Sequence, residues 1–351
     1  MHSSSTMQYT KGSSRKMKIL LTGGAGFIGS HTTVEFISHG HDVVILDNFS
    51  NADPSVVLAI ETLMQRPVPC IAMDVRDQPR LENVLRDHSI DAVIHFAGLK
   101  AVGDSVRDPI EYYKQNVDGA LSLLEAMRAA CVKTLVFSSS ATVYGDPNYL
   151  PLDESHPLNP TNPYGRTKFF VEQIMKDLAD ADPEWKMICL RYFNPVGAHP
   201  SGLLGESPNG IPNNLMPFIA KVASRKIPKL EIFGSDYDTV DGSGVRDYIH
   251  VCDIAEGHRA ALQYVQKNNG WHAINLGTGK GTSVLELINE FQLASSTSIF
   301  YEIVARRSGD VASCYADALK AKELLGWESS RNLKQMCEDA WRWESVKQKR
   351  N

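Results

Sequence analysis

No stretch of the 351 residues is an uninterrupted apolar run long enough to cross a bilayer, which excludes a helical membrane protein. Basic residues are not in excess: 36 Lys+Arg stand against 41 Asp+Glu, a formal net charge of -5. The electrostatic footprint of a nucleic-acid binder is therefore missing, and neither a nucleic acid nor a membrane is expected as a partner. The six cysteines, Cys70, Cys131, Cys189, Cys252, Cys314 and Cys337, form no Cys-x-x-Cys pair. Such scattered residues read as buried free thiols in a reducing compartment, and no metal site is expected. There is no internal repeat, and residues 1–16 are the only low-complexity tract. That tract is rich in Ser, Thr, Lys and Arg and lacks the apolar core of a signal peptide. It reads as a disordered extension or tag remnant, with ordered chain from Met17 and a cytoplasmic location.

What is present is an ordinary globular composition, 43% hydrophobic and 22% charged, long enough for about two domains. Short apolar runs recur at residues 18–22, 41–47, 71–74, 92–96, 134–138 and 187–191. Helical patterns, for example 112–130 and 165–178, separate most of them. Strands alternating with helices predict a parallel sheet covered on both faces, and near-continuous apolar strands fit burial on both sides. After Asn194 the texture changes to a Pro-, Gly- and Asn-rich stretch. The expected layout is a first domain over 17–194, rejoined by segments near 245–276, and a smaller mixed α/β domain over 195–345.

Gly23, Gly26 and Gly29, with Phe27 and Ile28 between them, follow the first strand and open a helix. In that setting glycines permit a tight turn, and backbone N–H groups at the helix N-terminus approach a pyrophosphate. This is the signature of a Rossmann-type, doubly wound dinucleotide domain. Asp47 ends the second strand, 21 residues past Gly26, where a carboxylate can bond the adenosine ribose. It would repel a 2′-phosphate, and residues 48–50 bring no arginine, so NAD is favoured over NADP. Asp74 and Val75, ending the third strand, are candidates for the adenine.

Tyr164 and Lys168 share a helix face at i and i+4, just after Pro163 at a helix start. Ser138, Ser139 and Ser140 end the fifth strand, at the sheet edge where such folds bind ligands. An ammonium beside the phenol, together with a positive nicotinamide ring, would lower a tyrosine pKa from about 10. Tyr164 is then the candidate base, with Ser140 sharing the substrate proton.

These two motifs together resemble the extended short-chain dehydrogenase/reductase superfamily. Longer strings at residues 21–26, 96–103, 138–145, 191–199, 212–217 and 244–251 resemble, within it, the UDP-glucose 4-epimerase family. The likeness runs from about Met17 to Trp327. It implies epimerisation of UDP-glucose and UDP-galactose through transient oxidation at carbon 4, rotation of the 4-keto sugar, and reduction from the other face. It implies Ser140, Tyr164 and Lys168 as catalytic residues. Asp47, Asn48, Asp74, Val75, Phe96, Ala97, Lys100, Asn116, Ser138 and Phe193 join the glycines, Tyr164 and Lys168 around a tightly held NAD. Lys100, Ser140, Tyr164, Asn194, Asn214, Leu215, Phe233, Arg246, Arg307, Asp310 and Cys314 fall to the UDP-hexose. A homodimer paired through a four-helix bundle is also implied.

The chain departs from the family pattern in two places. Ser308 stands where Arg-Arg-Pro-Gly-Asp often has proline. Cys314 stands where members restricted to glucose and galactose carry a bulky tyrosine. The smaller side chain implies room for UDP-GlcNAc and UDP-GalNAc. A nucleotide-sugar dehydratase is the nearest rival, but Ala141 and Thr142 replace the acid/base pair it would need. A sugar reductase and a non-catalytic, NAD-binding redox sensor are more distant rivals.

Overall fold

The computed structural model describes residues 15–207, 212, 214–307 and 309–350, with side chains to 347. Most of the expected N-terminal extension, along with Asn213 and Ser308, lies outside the described residues. The strands, in chain order, are β1 (Lys18–Thr22), β2 (Asp42–Asp47), β3 (Cys70–Ala72), β4 (Ala92–His95), β5 (Thr134–Ser140), β6 (Lys186–Tyr192) and β7 (Asn194–Val196). They continue with β8 (Leu230–Phe233), β9 (Val245–Arg246), β10 (Tyr248–His250), β11 (Gly270–Leu276), β12 (Thr282–Ser283), β13 (Tyr301–Val304) and β14 (Ser313–Cys314).

Seven of them form one sheet in the order β11-β6-β5-β4-β1-β2-β3, and all its pairings are parallel. Alternate residues of β1 explain its two covered faces: Ile19 and Leu21 enter one core, and Leu20 enters the other. The first core packs under the helices Phe27–Ser38 and Val251–Val265, the second under Gly119–Ala129 and Pro163–Ala181. From β1 the chain adds β2 and β3 on one side and then crosses back to add β4, β5 and β6 on the other. The strand order therefore reverses between β1 and β4, where this architecture opens a ligand crevice at the carboxyl ends of the strands.

A smaller lobe is built on a third core, including Met216, Ile219, Leu287, Phe291 and Met336. Its strands are short: β8 pairs with β13, and β9 lies between β12 and β14. β11 leaves this part of the chain and closes the edge of the large sheet against β6.

The structure corrects three local expectations. β3 stops at Ala72, so Asp74 and Val75 lie beyond the strand in a loop, and the apolar run overstated its length. The single helix read over 112–130 is a helix at Pro109–Tyr113, a π-helical turn at Lys114–Asp118 and a second helix at Gly119–Ala129. The cysteines are free, as read, yet only Cys189 and Cys337 are fully buried, and Cys131 is exposed.

Candidate active site

Gly23 turns with φ +70°, and a Cβ there would lie 2.7 Å from the Ala97 backbone nitrogen. A Cβ at Gly29 would lie 2.3 Å from the Gly23 carbonyl oxygen. Side chains are thus excluded where the turn meets the loop after β4 and where the helix packs on the turn. The helix Phe27–Ser38 starts at Gly26 with no side-chain cap and no acidic residue in its first turn. Its positive end stays available to an anion, which fits a dinucleotide pyrophosphate. Asp47 is buried, and its carboxylate accepts N–H bonds from Ala25 (3.0 Å) and Phe49 (2.9 Å). Burial pushes its pKa up, and those two bonds oppose the rise.

Asn48 and Asp74 meet at 3.5 Å, so the two loops read as the adenosine end do converge. Asp74 is also clasped by Arg76 at 2.9 and 2.7 Å, which holds its carboxyl down at about 2. Val75 is buried against the position of Gly119. Phe96 and Ala97 donate their N–H groups to the Thr22 carbonyl, carrying the chain past the cradle. Asn116 is buried on the π-helical turn, where its side chain accepts from Leu99 N–H (2.7 Å). It donates to the Leu99 carbonyl (3.0 Å) and to Thr167 Oγ1 (2.9 Å). It therefore ties the loop after β4 to the helix that bears Tyr164. π-Helical turns are often found at functional sites.

That helix, Pro163–Ala181, has Asn162 as its N-cap, accepting from Gly165 N–H at 2.9 Å, with Pro163 in the first turn. Its geometry corrects one electrostatic expectation. Lys168 is buried and donates to the Ser138 carbonyl at 2.7 Å, with its ammonium 5.9 Å from the Tyr164 ring centre. Burial pushes the Tyr164 phenol up, and a hydrogen bond with Ser140 pulls it down. The lowering expected from the ammonium does not prevail in the chain by itself. Burial brings Lys168 down to about 8, against the pull of Cys189 and Glu172. Ser140 accepts from Thr142 Oγ1 at 3.0 Å, which fixes its rotamer at the strand tip.

The residues assigned to the UDP-sugar fall into two groups. Arg307 bonds Asp310 at 3.0 and 3.1 Å and stacks over Phe233 at 5.2 Å. Arg246 lies 4.0 Å from the same carboxylate, and Cys314 pairs with Arg246 in register across β14 and β9. Five of the assigned residues thus meet at one place. Burial raises the Cys314 thiol to about 11, so it is a neutral wall at pH 7. Asn214 precedes the helix Leu215–Ala223 without a side-chain cap bond and donates instead to Glu206 at 2.6 Å, and Lys100 reaches the same oxygen at 2.8 Å. Asn194 begins β7, where its N–H donates to the Asp247 carbonyl, and the buried Phe193 precedes it.

Sequence reasoning missed Glu206, which joins two assigned residues, and Asp247. Asp247 is fully buried and accepts from Thr278, Gly279 and Ala316, pinning the segment that follows Cys314. The signal for Asp247 was a carboxylate inside the 244–251 string, next to Arg246. Glu206 sits in a Gly- and Pro-rich loop and gave none.

Residues 19–277 match the NAD dependent epimerase/dehydratase family. A UDP-glucose 4-epimerase from Mus musculus is 53% identical over 334 residues, 93% of this chain and 96% of its own. The crystal structure of a UDP-glucose-4-epimerase from Stenotrophomonas maltophila, with bound NAD and formylated UDP-arabinopyranose, superposes with a TM-score of 0.94. It is 47% identical and covers 95% of this chain and 100% of that one. A UDP-glucose 4-epimerase from Bifidobacterium longum in complex with NAD+ and UDP gives a TM-score of 0.91 at 49% identity, covering 94% and 98%. On that family match over most of the chain and that identity to the epimerase relatives, this chain belongs to the NAD dependent epimerase/dehydratase family, in its UDP-glucose 4-epimerase branch.

Proposed function

We propose that the chain interconverts UDP-glucose and UDP-galactose at carbon 4, with NAD held in the glycine cradle, and also accepts the N-acetylated UDP-hexoses. The observation that carries this reading is Tyr164 one helical turn from the buried Lys168, whose ammonium donates to the Ser138 carbonyl at the tip of the strand that ends in Ser140. Bound in the cradle, NAD supplies the acceptor and donor of the hydride at carbon 4. Tyr164 takes the 4-hydroxyl proton and later returns it, while Ser140 orients that hydroxyl. The Lys168 ammonium stabilises the phenolate formed between the two transfers. Arg246 and Arg307 hold the diphosphate, whose oxygens match the guanidinium fork. With binding concentrated on UDP, the sugar is free to turn and present its other face. Cys314 leaves volume for an acetamido group beside Arg246.

The test is purified protein incubated with UDP-galactose and no added cofactor. Formation of UDP-glucose is the expected result. No turnover with NAD retained would make the chain a redox sensor instead.

The active form is a homodimer in the cytoplasm. Val106 and Ile110 are more than 60% exposed, and Phe170 on the neighbouring helix Pro163–Ala181 is 41% exposed. This apolar face supports a second copy as its cover. Free cysteines support a reducing compartment, and among the described residues no helix is long and apolar enough to cross a membrane. Ile110→Glu should convert the dimer to a monomer in gel filtration.

A further inference from the structure

Beneath the site lies a buried ion pair that the proton-transfer chemistry does not use. Glu172, fully buried, sits one helical turn past Lys168 on the helix Pro163–Ala181. Arg191, 2% exposed, is on β6. The guanidinium meets the carboxylate with two parallel bonds, Nε to Oε1 at 3.0 Å and Nη2 to Oε2 at 2.6 Å. Oε1 also accepts from the Ser139 hydroxyl on β5 at 2.5 Å. One carboxylate therefore joins the helix of Tyr164 and Lys168 to both strands that flank its base.

The connection extends further. Arg191 Nη1 donates to the Tyr144 hydroxyl at 3.1 Å, and that hydroxyl donates to Asn275 on β11 at 2.6 Å. The Asn275 amide donates to the Leu152 carbonyl at 2.9 Å. Leu152 bridges to Ala316, two residues beyond Cys314. The polar chain thus runs from the catalytic edge to the segment that leads out of the sugar wall.

Stability alone is a weak reason for such a pair. Two buried charges lose their hydration, and apolar replacements of similar volume are often as stable or more so. A bidentate pair does fix geometry, because each bond limits rotation of both groups. Ser139 lies between Ser138, whose carbonyl receives Lys168 at 2.7 Å, and Ser140, whose hydroxyl closes the strand tip. Holding Ser139 to the helix sets the placement of both neighbours at once.

We propose that Glu172 and Arg191 form a positioning unit for the proton-transfer site, clamping the tip of β5 to the helix of Tyr164 and Lys168. The proposal rests on the epimerase reading for its kinetic readout, and on NAD retention for a readout independent of it. The epimerase reading assigns Lys168 and Ser138 to NAD, so a loosened clamp should weaken the hold on the cofactor as well.

The experiment compares the full chain with Glu172→Gln and with Ser139→Ala, which removes only the link to β5. Turnover of UDP-galactose, KM, melting temperature and NAD retained through gel filtration are measured for each. Small misplacements of reacting groups cost up to about 100-fold in rate. Glu172→Gln should lower kcat by about tenfold or more and Ser139→Ala by about threefold or more, with KM within about twofold of the parent. Both should raise the fraction of chains that lose NAD. A role confined to stability would lower the melting temperature and leave kcat and NAD retention per folded chain unchanged, which overturns the proposal. If Glu172→Gln does not fold, Ser139→Ala decides. If the parent itself does not turn over, the epimerase reading fails and NAD retention in the variants decides this proposal separately.

Discussion

Tyr164 carries a phenol raised by burial and eased by one bond to Ser140, with the Lys168 ammonium parked on the Ser138 carbonyl. The base role proposed for it needs the hydroxyl oxygen and nothing else of the ring. Tyr164→Phe should therefore fold and retain NAD while losing about 10²–10⁴-fold in kcat, the usual share of general acid–base catalysis. Stopped turnover with parent-like NAD absorbance is the check, and full activity would remove Tyr164 from the mechanism. Cys314 makes a different kind of claim, because it concerns volume. It faces Arg246 across β14 and β9 as a neutral thiol. Cys314→Tyr should cut kcat/KM for UDP-GlcNAc by about tenfold or more, a loss of about 1.4 kcal/mol in transition-state binding. UDP-galactose should change by less than about threefold, and equal losses on both sugars would assign the residue to packing.

The π-helical turn at Lys114–Asp118 illustrates what a sequence pattern can and cannot convey. Apolar periodicity over 112–130 announced a helix, and helix there is on both sides of the turn. Periodicity carries no information on a single inserted residue, whose reason is a contact with Leu99 and Thr167 from distant parts of the chain. Asn116→Ala would remove three hydrogen bonds made by a buried side chain and leave the Leu99 N–H and carbonyl short of partners, while the Thr167 hydroxyl keeps the Tyr164 carbonyl. The expected cost is about 2–3 kcal/mol, read as a lower urea midpoint, with weaker NAD retention because the loop at 96–101 loses its tie. The parallel strands, the cradle and the Tyr-Lys helix were readable for the opposite reason. Each is set by local residue order: an apolar run, glycines after it, or Pro163 before a helical face. Glu206 and the Glu172–Arg191 pair were not readable, since each acquires its role from partners 8 to 106 residues away.

Among the described residues, three buried histidines around the large sheet are held furthest below the usual imidazole value, and they lead the response to acid. His31, on the cradle helix, is held down to about 3, with desolvation the largest cause. Desolvation does the same to His95, also about 3, and to His258, about 4. In the unfolded chain each takes a proton near pH 6.5, and in the folded chain each resists it. Protonation therefore favours the unfolded state. Their neutral forms cost nothing above pH 6.5, and the folded state loses ground as pH falls from 6.5 toward 4. Each pH unit in that window costs about 1.4 kcal/mol per histidine. Asp74 acts in a separate, lower window. Arg76 holds its folded pKa to about 2, so its contribution is complete above its unfolded value and is lost as pH falls from there through 2. The decline between pH 6.5 and 4.5 thus belongs mainly to the histidines. Urea midpoints measured at pH 7.5, 6.0 and 5.0 should fall steadily, with an unchanged slope. His31→Gln should flatten the decline by less than a third, because His41, His199 and His272 are also held below the usual imidazole value by burial. Saturating NAD raises stability by mass action at every pH, so the decline should keep its shape in the loaded enzyme. A midpoint that stays level down to pH 5 would mean that protons reach these imidazoles without unfolding the sheet.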